Sequence, residues 1–338
     1  MNMARTAFGI VALLMHFGTS AAEPVLDAAA SDPIAMQWMV GSPPPPDKII
    51  RYVDGSYWRF PQTRWSFSHM RQLIPSVPVS RHHSRIRSLP RHQRSDIDAV
   101  TFMPIGATEP MTWAQSLAAN YTDGIVVMHR GRIVYERYFG ALRSDGEHSA
   151  MSVTKSFVGT IAATLIAEGK LDADAPASRY VPELANSGFG DATVRQILDM
   201  TTAIDFDEKY TDSNSGIFRY GMASSHMVGG KDYQGPKSTY DYLATLKKNG
   251  DHGKAFTYRT PNTDVIGWIV CRVTGQSLPL IFEERLWRPL GMEQDGYIQV
   301  DSTGNPVAGA GLNLQLRDLA RCGEMMRLGG RVGGRQII

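Results

Sequence analysis

Residues 124–169 limit the fold more than any other part of the chain, because two β-rich runs precede a strongly amphipathic segment. The runs 124–128 and 133–139 are joined by a connection that contains Gly131, and this spacing predicts an antiparallel hairpin. In the segment that follows, the spacing of the apolar residues places Phe157, Val158, Ile161, Leu165 and Ile166 on one face of a helix. Gly169 supplies a C-terminal stop. We therefore expect an α/β fold in which an antiparallel sheet, opened by the hairpin, packs against helices.

Regular structure is expected from about residue 110 onward. Further helices are predicted at 111–119, 193–200, 239–248, 265–273 and 314–326. The helix at 193–200 is expected to begin after Asp191 as its N-cap. Residues 202–237 are rich in Gly, Ser, Asp and Tyr and predict long loops over a site.

Ser152 and Lys155 form a Ser-x-x-Lys pattern at the start of the amphipathic helix. The pattern alone is weak, but residues three apart share a helix face, so the lysine can reach the serine hydroxyl. A serine hydroxyl needs a base or a strong field to become a nucleophile, and a helix N-terminus favours the developing negative charge. The alternative is a capping serine beside an exposed lysine.

Tyr258 precedes the helix predicted at 265–273, at a junction between loop and helix. A phenol opposite the serine, with Lys155 nearby, can shuttle the serine proton. Considered without Ser152, the same tyrosine is a half-buried packing residue.

These residues lie in segments that resemble a known family, the penicillin-recognising serine hydrolases related to class C β-lactamases. Within that family the chain is most similar to 6-aminohexanoate-dimer hydrolases and related esterases. The resemblance is carried by segments 65–70, 148–160, 193–200, 289–292 and 316–320. It implies a β-lactamase/transpeptidase-like fold, with an antiparallel sheet flanked by helices and a mostly helical subdomain at about 150–300.

The resemblance also implies roles. Ser152 would be the nucleophile whose backbone N–H forms half of an oxyanion hole, Lys155 its activating partner, and Tyr258 the general base that later protonates the leaving group. Which of Lys155 and Tyr258 takes the serine proton first stays open. Tyr210 falls near a substrate-contacting tyrosine of the oligomer hydrolases. Asn262 stands later than the asparagine that usually follows the tyrosine closely, which puts its substrate contact in doubt and makes β-lactamase activity less favoured.

The family continues past its serine motif to a Lys-Thr-Gly or His-x-Gly element on a strand that supplies the second oxyanion donor. Residues 328–338 do not match that element. We therefore expect the C-terminal strands to be missing and the chain to be truncated, with an exposed edge on the hairpin.

The first residues predict an export signal at 1–22, with Arg5 before an apolar stretch and small residues before Glu23. Residues 23–100 predict an extended Pro-rich and basic arm that docks on the body, and 101–338 the catalytic domain. An exported protein, periplasmic or secreted, with no stable membrane association after cleavage is expected, because no later run is long and apolar enough to span a bilayer.

The composition and the motifs indicate which kinds of ligand or partner to expect. A net charge of +2 over 338 residues gives no reason to expect nucleic-acid binding. The histidines form no metal motif, and no phosphate-binding glycine loop follows a strand, so neither metal nor cofactor is predicted. Cys271 lies in an apolar run that favours a free thiol, although pairing with Cys322 stays open, as does the oligomeric state.

Together the motifs and the resemblance predict a serine hydrolase that cleaves a small linear ester or amide through an acyl-enzyme at Ser152, as a carboxylesterase or an amidase of the 6-aminohexanoate-oligomer type. Two rivals remain. One is an impaired fragment or pseudoenzyme that binds without turnover. The other is a penicillin-binding peptidase or β-lactamase.

Overall fold

The computed structural model describes residues 25–224 and 233–338, so the predicted signal segment lies outside the described residues. The strands are β1 Ser76–Val79, β2 Thr101–Phe102, β3 Met111–Thr112, β4 Gly124–His129, β5 Arg132–Tyr138, β6 Glu147–Ser149, β7 Gly296–Gln299, β8 Leu312–Gln315, β9 Arg331–Val332 and β10 Arg335–Gln336. The α-helices are α1 Thr63–Ser66, α2 Trp113–Ala119, α3 Thr154–Ala167, α4 Val194–Leu198, α5 Gly216–Ser224, α6 Thr239–Thr245, α7 Thr260–Thr274, α8 Leu278–Phe282, α9 Arg288–Leu290 and α10 Leu316–Arg327.

The hairpin predicted at 124–139 is present as β4 and β5. Arg130 and Gly131 both have positive φ, 50° and 76°, which is the backbone of a tight hairpin turn that matches strand twist. The hairpin does not open the main sheet, which corrects that expectation: β4 and β5 pair with each other as a separate two-stranded sheet. Because β4 and β5 are neighbours in the sequence, their pairing could be predicted from the sequence, whereas the strands of the main sheet could not.

The main sheet has four antiparallel strands in the order β1-β7-β8-β6. Its strands are short and come from distant parts of the chain, so that Val77 lies opposite Ile298 and His148 opposite Leu314. Strand β6 sits on an edge of this sheet and leads directly into the turn that carries Ser152.

Helix α3 runs through the centre of the core, as its apolar face predicts. Val158, Ile161 and Leu165 are fully buried, and the chain leaves the helix at Gly169, whose φ is 70°. The helix packs against α7, which buries its own first eleven residues from Thr260 to Val270. The interface of these two helices therefore fixes the positions of their N-termini, where the predicted site residues lie.

Helix α4 begins at the buried Val194, and its cap differs from the prediction. Thr193 is the N-cap: its hydroxyl accepts from the Gln196 N–H, and the Gln196 side chain accepts from the Thr193 N–H. Asp191 lies outside the helix and pairs with Lys248 and His252 instead. Reciprocal capping by Thr193 and Gln196 satisfies two backbone donors, which one Asp191 carboxylate would not.

Part of the segment predicted as loops at 202–237 is helical, because α5 occupies Gly216–Ser224. Its Tyr220 and Ala223 are buried against the core, and this burial offsets the weak helical tendency of a Gly- and Ser-rich segment.

The segment 23–100, predicted as an extended arm, contributes a strand to the main sheet. Strand β1 pairs along its whole length with β7. Nearby, Met70 and Ile74 pack with Tyr297 of β7, and a second cluster joins Trp38, Ile50 and Trp65. Regular structure thus begins well before residue 110, since β1 is stabilised by a strand more than half the chain away.

Both cysteines are free thiols, Cys322 buried and Cys271 half-buried. Within residues 25–224 and 233–338, no single helix combines the length and apolarity of a membrane span; α7 and the bent segment 278–290 meet that criterion only jointly, at an angle of 79°.

Candidate active site

Ser152 lies in a tight 3-10 turn, Met151–Val153, between β6 and α3. Two backbone bonds hold the approach to this turn: the Ser149 N–H donates to the Phe67 carbonyl (2.8 Å) and the Ala150 N–H to the Leu312 carbonyl (2.9 Å). Met151 has a φ of 44°, a left-handed conformation that costs a non-glycine residue roughly 1–3 kcal/mol. The strained turn leaves Ser152 exposed at the N-terminus of α3.

Lys155 contacts Ser152 as the helical spacing predicts. Its Nζ donates to Ser152 Oγ at 3.0 Å and to the Gly309 carbonyl at 2.7 Å. The ammonium is therefore held by a second acceptor from the segment between β7 and β8, and it does not depend on the serine alone. In this position its charge stabilises negative charge that develops on Oγ.

Tyr258 faces the same lysine from the start of α7. Lys155 Nζ lies 5.1 Å from the centre of the Tyr258 ring, within cation–π range. Tyr258 is 41% exposed and lines the cavity beside Ser152, so it does more than pack against the body of the protein. Two residues later α7 begins at Thr260, with Pro261 in its first turn.

Ser152, Lys155 and Tyr258 all line one cavity of about 310 Å³. The remaining walls come from α3, from α4 and its following turn, and from α7; they are Ser156, Gly159, Ile197, Leu198, Met200, Phe256, Thr263 and Ile266. The structure thus brings together the three residues predicted to be catalytic, in a cleft large enough for a small substrate.

Asp264 and Gly309 support the lysine, and the sequence analysis missed both. The Gly309 N–H donates to Asp264 Oδ1 (2.9 Å), and the Tyr220 hydroxyl donates to Asp264 Oδ2 (3.0 Å). Burial raises the pKa of Asp264 to about 6, although the Gly309 N–H and the charge of Lys155 act in the opposite direction. A lone carboxylate in an apolar stretch of α7 was the available signal for this residue.

Gly309 must be glycine for this arrangement. A Cβ there would lie 2.6 Å from Thr260 Cγ2 and 2.8 Å from Asp264 Oδ2, closer than real Cβ contacts. The absence of a side chain lets the Gly309 backbone reach the carboxylate with its N–H and the lysine with its carbonyl.

Asn262, predicted as a substrate contact, does not lie at the cavity. It is fully buried; its Oδ1 accepts from the Thr202 hydroxyl (2.9 Å) and its Nδ2 donates to the Ile197 carbonyl (3.2 Å). Its position within the first turn of α7 points its side chain towards α4, which is the physical reason for the correction. Asn262 joins two helices rather than binding a ligand.

Tyr210 lies near Tyr258 but outside the group of residues that line the cavity. It is 56% exposed, and its hydroxyl donates to Glu208 Oε1 (2.7 Å). Glu208 also accepts from the Thr260 N–H (2.8 Å) and so caps α7 at its positive end. Desolvation and the Glu208 carboxylate raise the pKa of Tyr210. Substrate contact by Tyr210 stays a prediction.

Across residues 25–224 and 233–338, no group of three or more His, Cys, Asp or Glu side chains is arranged to hold a metal ion. What the cavity offers is an exposed hydroxyl, a cation in contact with it and a phenol facing that cation. This set of groups suits acyl transfer.

Comparison with known proteins also points to hydrolases. Residues 114–336 match the beta-lactamase family. The 6-aminohexanoate-dimer hydrolase of Paenarthrobacter ureafaciens is 35% identical over 283 residues, 84% of this chain and 69% of that protein. An esterase of Burkholderia gladioli is 26% identical over 188 residues, 52% of this chain and 47% of the esterase.

A solved structure from Bacillus anthracis, provisionally assigned as a 6-aminohexanoate-dimer hydrolase, superposes with a TM-score of 0.78 at 32% identity. The match covers 83% of this chain and 73% of that one. This agreement confirms the predicted fold class, an antiparallel sheet flanked by helices with a mostly helical part.

Proposed function

This chain belongs to the beta-lactamase family, and from that premise we propose that it is a serine hydrolase that cleaves a small linear ester or amide through an acyl-enzyme at Ser152. The observation that carries the proposal is the 3.0 Å contact between Lys155 Nζ and Ser152 Oγ, with the lysine held from behind by Gly309. An exposed serine paired only by chance with a lysine would not need that second acceptor.

In the proposed reaction Ser152 Oγ attacks the carbonyl carbon while its proton passes to the Lys155–Tyr258 pair. The C–O or C–N bond then breaks, and the same proton returns to the leaving alcohol or amine. Water repeats the sequence on the acyl-enzyme, releasing the acid and restoring the serine. The pair can accept this proton because one of its members serves as the base, either Lys155 as a neutral amine or Tyr258 as a phenolate, and the same member gives the proton to the leaving group.

A linear substrate is favoured over a β-lactam for two reasons. Arg259 and Thr260 follow Tyr258, and Asn262 is committed to Thr202 and Ile197, so this segment presents no amide to a ligand. Two of the similar proteins named above are a 6-aminohexanoate-dimer hydrolase and an esterase.

The test is covalent labelling of the purified protein by a fluorophosphonate, with the adduct located by peptide mass spectrometry and hydrolysis of p-nitrophenyl acetate followed in parallel. We expect one label at Ser152, and loss of both label and turnover in Ser152→Ala. Ser144→Ala, an exposed serine in the connection before β6, is the matched control and should label normally.

Labelling without turnover would support a protein that binds but does not hydrolyse, and would overturn the proposal. A long-lived adduct with fluorescent penicillin, in place of ester turnover, would identify a penicillin-binding peptidase. Absence of labelling in a folded sample would show that Ser152 is not activated.

A further inference from the structure

Two cavities lie on adjacent faces of the N-terminal half of α3, and Ser156 lines both. The catalytic cavity, about 310 Å³, lies towards α4 and α7. The other, about 270 Å³, lies towards α10 and is lined by Val153, Leu319, Gly323 and Met326 among others. Ser152 lines the first cavity and is not among the residues that line the second, so the acyl chain of a bound substrate is expected in the first.

Five of the side chains that line the catalytic cavity are apolar. They are Ile197, Leu198, Met200, Phe256 and Ile266. Among the described residues that line it, Lys155 alone carries a charge. A charged group at the end of an acyl chain would lose its hydration there, and a cationic one would also be repelled by Lys155.

Gly159 forms part of the wall of this cavity without adding a side chain to it. It follows Lys155 by one helical turn on α3 and lines the same space. A Cβ built on Gly159 meets no atom within 4 Å, so the space beside it is open and a larger side chain would fill it without disturbing the packing of the core.

We propose that the cavity beside Ser152 is an acyl-chain pocket for uncharged, unbranched aliphatic acyl groups, and that Gly159 determines the length of chain it accepts. This rests on the proposed function, because the chain is delivered to the pocket by the ester or amide carbonyl that Ser152 attacks. The apolar walls stabilise each added methylene until the chain reaches the end of the cavity.

The experiment compares kcat/KM for p-nitrophenyl acetate, butyrate, hexanoate and octanoate in the wild type, Gly159→Ala, Gly159→Leu and Gly323→Leu. We expect the wild-type value to rise from acetate to hexanoate. In Gly159→Leu the ratio of hexanoate to acetate should fall by about tenfold or more, the discrimination typical of a filled apolar pocket. The hexanoate-to-acetate ratio of Gly159→Ala should lie between those of the wild type and Gly159→Leu.

Gly323→Leu is the matched control, since Gly323 is also on a helix, lines a cavity and has open space beside its Cα. Its hexanoate-to-acetate ratio should equal that of the wild type. A second comparison uses p-nitrophenyl hexanoate and p-nitrophenyl 6-aminohexanoate, which differ mainly by a terminal ammonium. We expect the charged ester to be at least tenfold poorer, as desolvation of an unpaired charge requires.

An unchanged ratio in Gly159→Leu, or a lowered ratio in Gly323→Leu, would overturn the proposal, the second by placing the chain in the cavity towards α10. Equal turnover of the neutral and charged hexanoyl esters would also overturn it. Failure of the wild type to hydrolyse the acetate is a different result, because it rejects the proposed function itself. Circular dichroism and the Gly159→Ala variant separate these outcomes from misfolding.

Discussion

Helices α3 and α7 both begin at the catalytic cavity, but they use their first polar residues in different ways. At the start of α3, Ser152 and Ser156 are exposed to the cavity. At the start of α7, Thr260, Asn262 and Asp264 are buried, and each is hydrogen bonded to a residue of another segment. The start of α3 exposes polar side chains to the cavity, whereas the start of α7 uses its polar side chains to bind neighbouring segments.

The difference teaches that a polar residue next to a helix start is not a ligand contact by position alone. Tyr258 lies before the first turn of α7 and faces the cavity, whereas Asn262 lies within that turn and faces α4. A step of four residues thus separates a candidate catalytic group from a structural one.

The largest effect is expected from Tyr258→Phe, which removes the hydroxyl and keeps the ring above Lys155. Loss of a general acid–base group should lower kcat by about 10²–10⁴-fold, measured by steady-state ester hydrolysis. Tyr180→Phe, a half-buried tyrosine remote from the cavity, controls for the substitution. A kcat close to that of the wild type would assign proton transfer to Lys155 alone.

Asn262→Ala tests the structural side of the comparison. It removes the acceptor of the buried Thr202 hydroxyl and one of the donors to the Ile197 carbonyl, which should lower the free energy of unfolding by about 1–3 kcal/mol in urea titrations. Asn249→Ala, at an exposed asparagine, should change it by less than about 0.5 kcal/mol. A raised KM with unchanged stability would instead place Asn262 in contact with substrate and remove the contrast between the helices.

Asp264→Asn should give a smaller effect with a distinctive pH dependence. The ionised carboxylate attracts the ammonium of Lys155, and Tyr220 donates to it, with Tyr240 also within its electrostatic reach. Because the pKa of Asp264 is about 6, wild-type kcat/KM should fall as pH drops through that value and the attraction is lost. The variant should lack this step and be roughly tenfold slower at neutral pH, about 1.4 kcal/mol.

The titration of Asp264 also makes the free energy of unfolding depend on pH. The pKa of Asp264 is raised from 3.8, so between these values the folded state binds more protons than the unfolded state. Its contribution to the free energy of unfolding is therefore greatest at low pH and is lost as pH rises through about 6. If kcat/KM fell equally in the wild type and in Asp264→Asn as the pH dropped through about 6, the titrating group would not be Asp264.

Local patterns predicted the parts of the molecule that depend on near neighbours. The hairpin β4–β5, the apolar face of α3 and the reach of Lys155 to Ser152 each involve residues within a few positions of one another. The strands β1, β7 and β8 could not be predicted in the same way, since each has only four residues and pairs with a distant segment. Asp264 and Gly309 escaped notice for the same reason: their roles depend on a contact between α7 and the segment before β8.

The main sheet also has a consequence for the time at which activity arises. Ser149 of β6 pairs with Asn313 of β8, and the carbonyl that holds Lys155 belongs to Gly309. A growing chain that has reached residue 300 already contains Ser152 and Lys155, yet it has neither of these supports. Pairing across such separations is slow and completes late in folding. The supported contact between Lys155 and Ser152 can therefore form only after residues 309–313 have been made, long after Ser152 itself has left the ribosome.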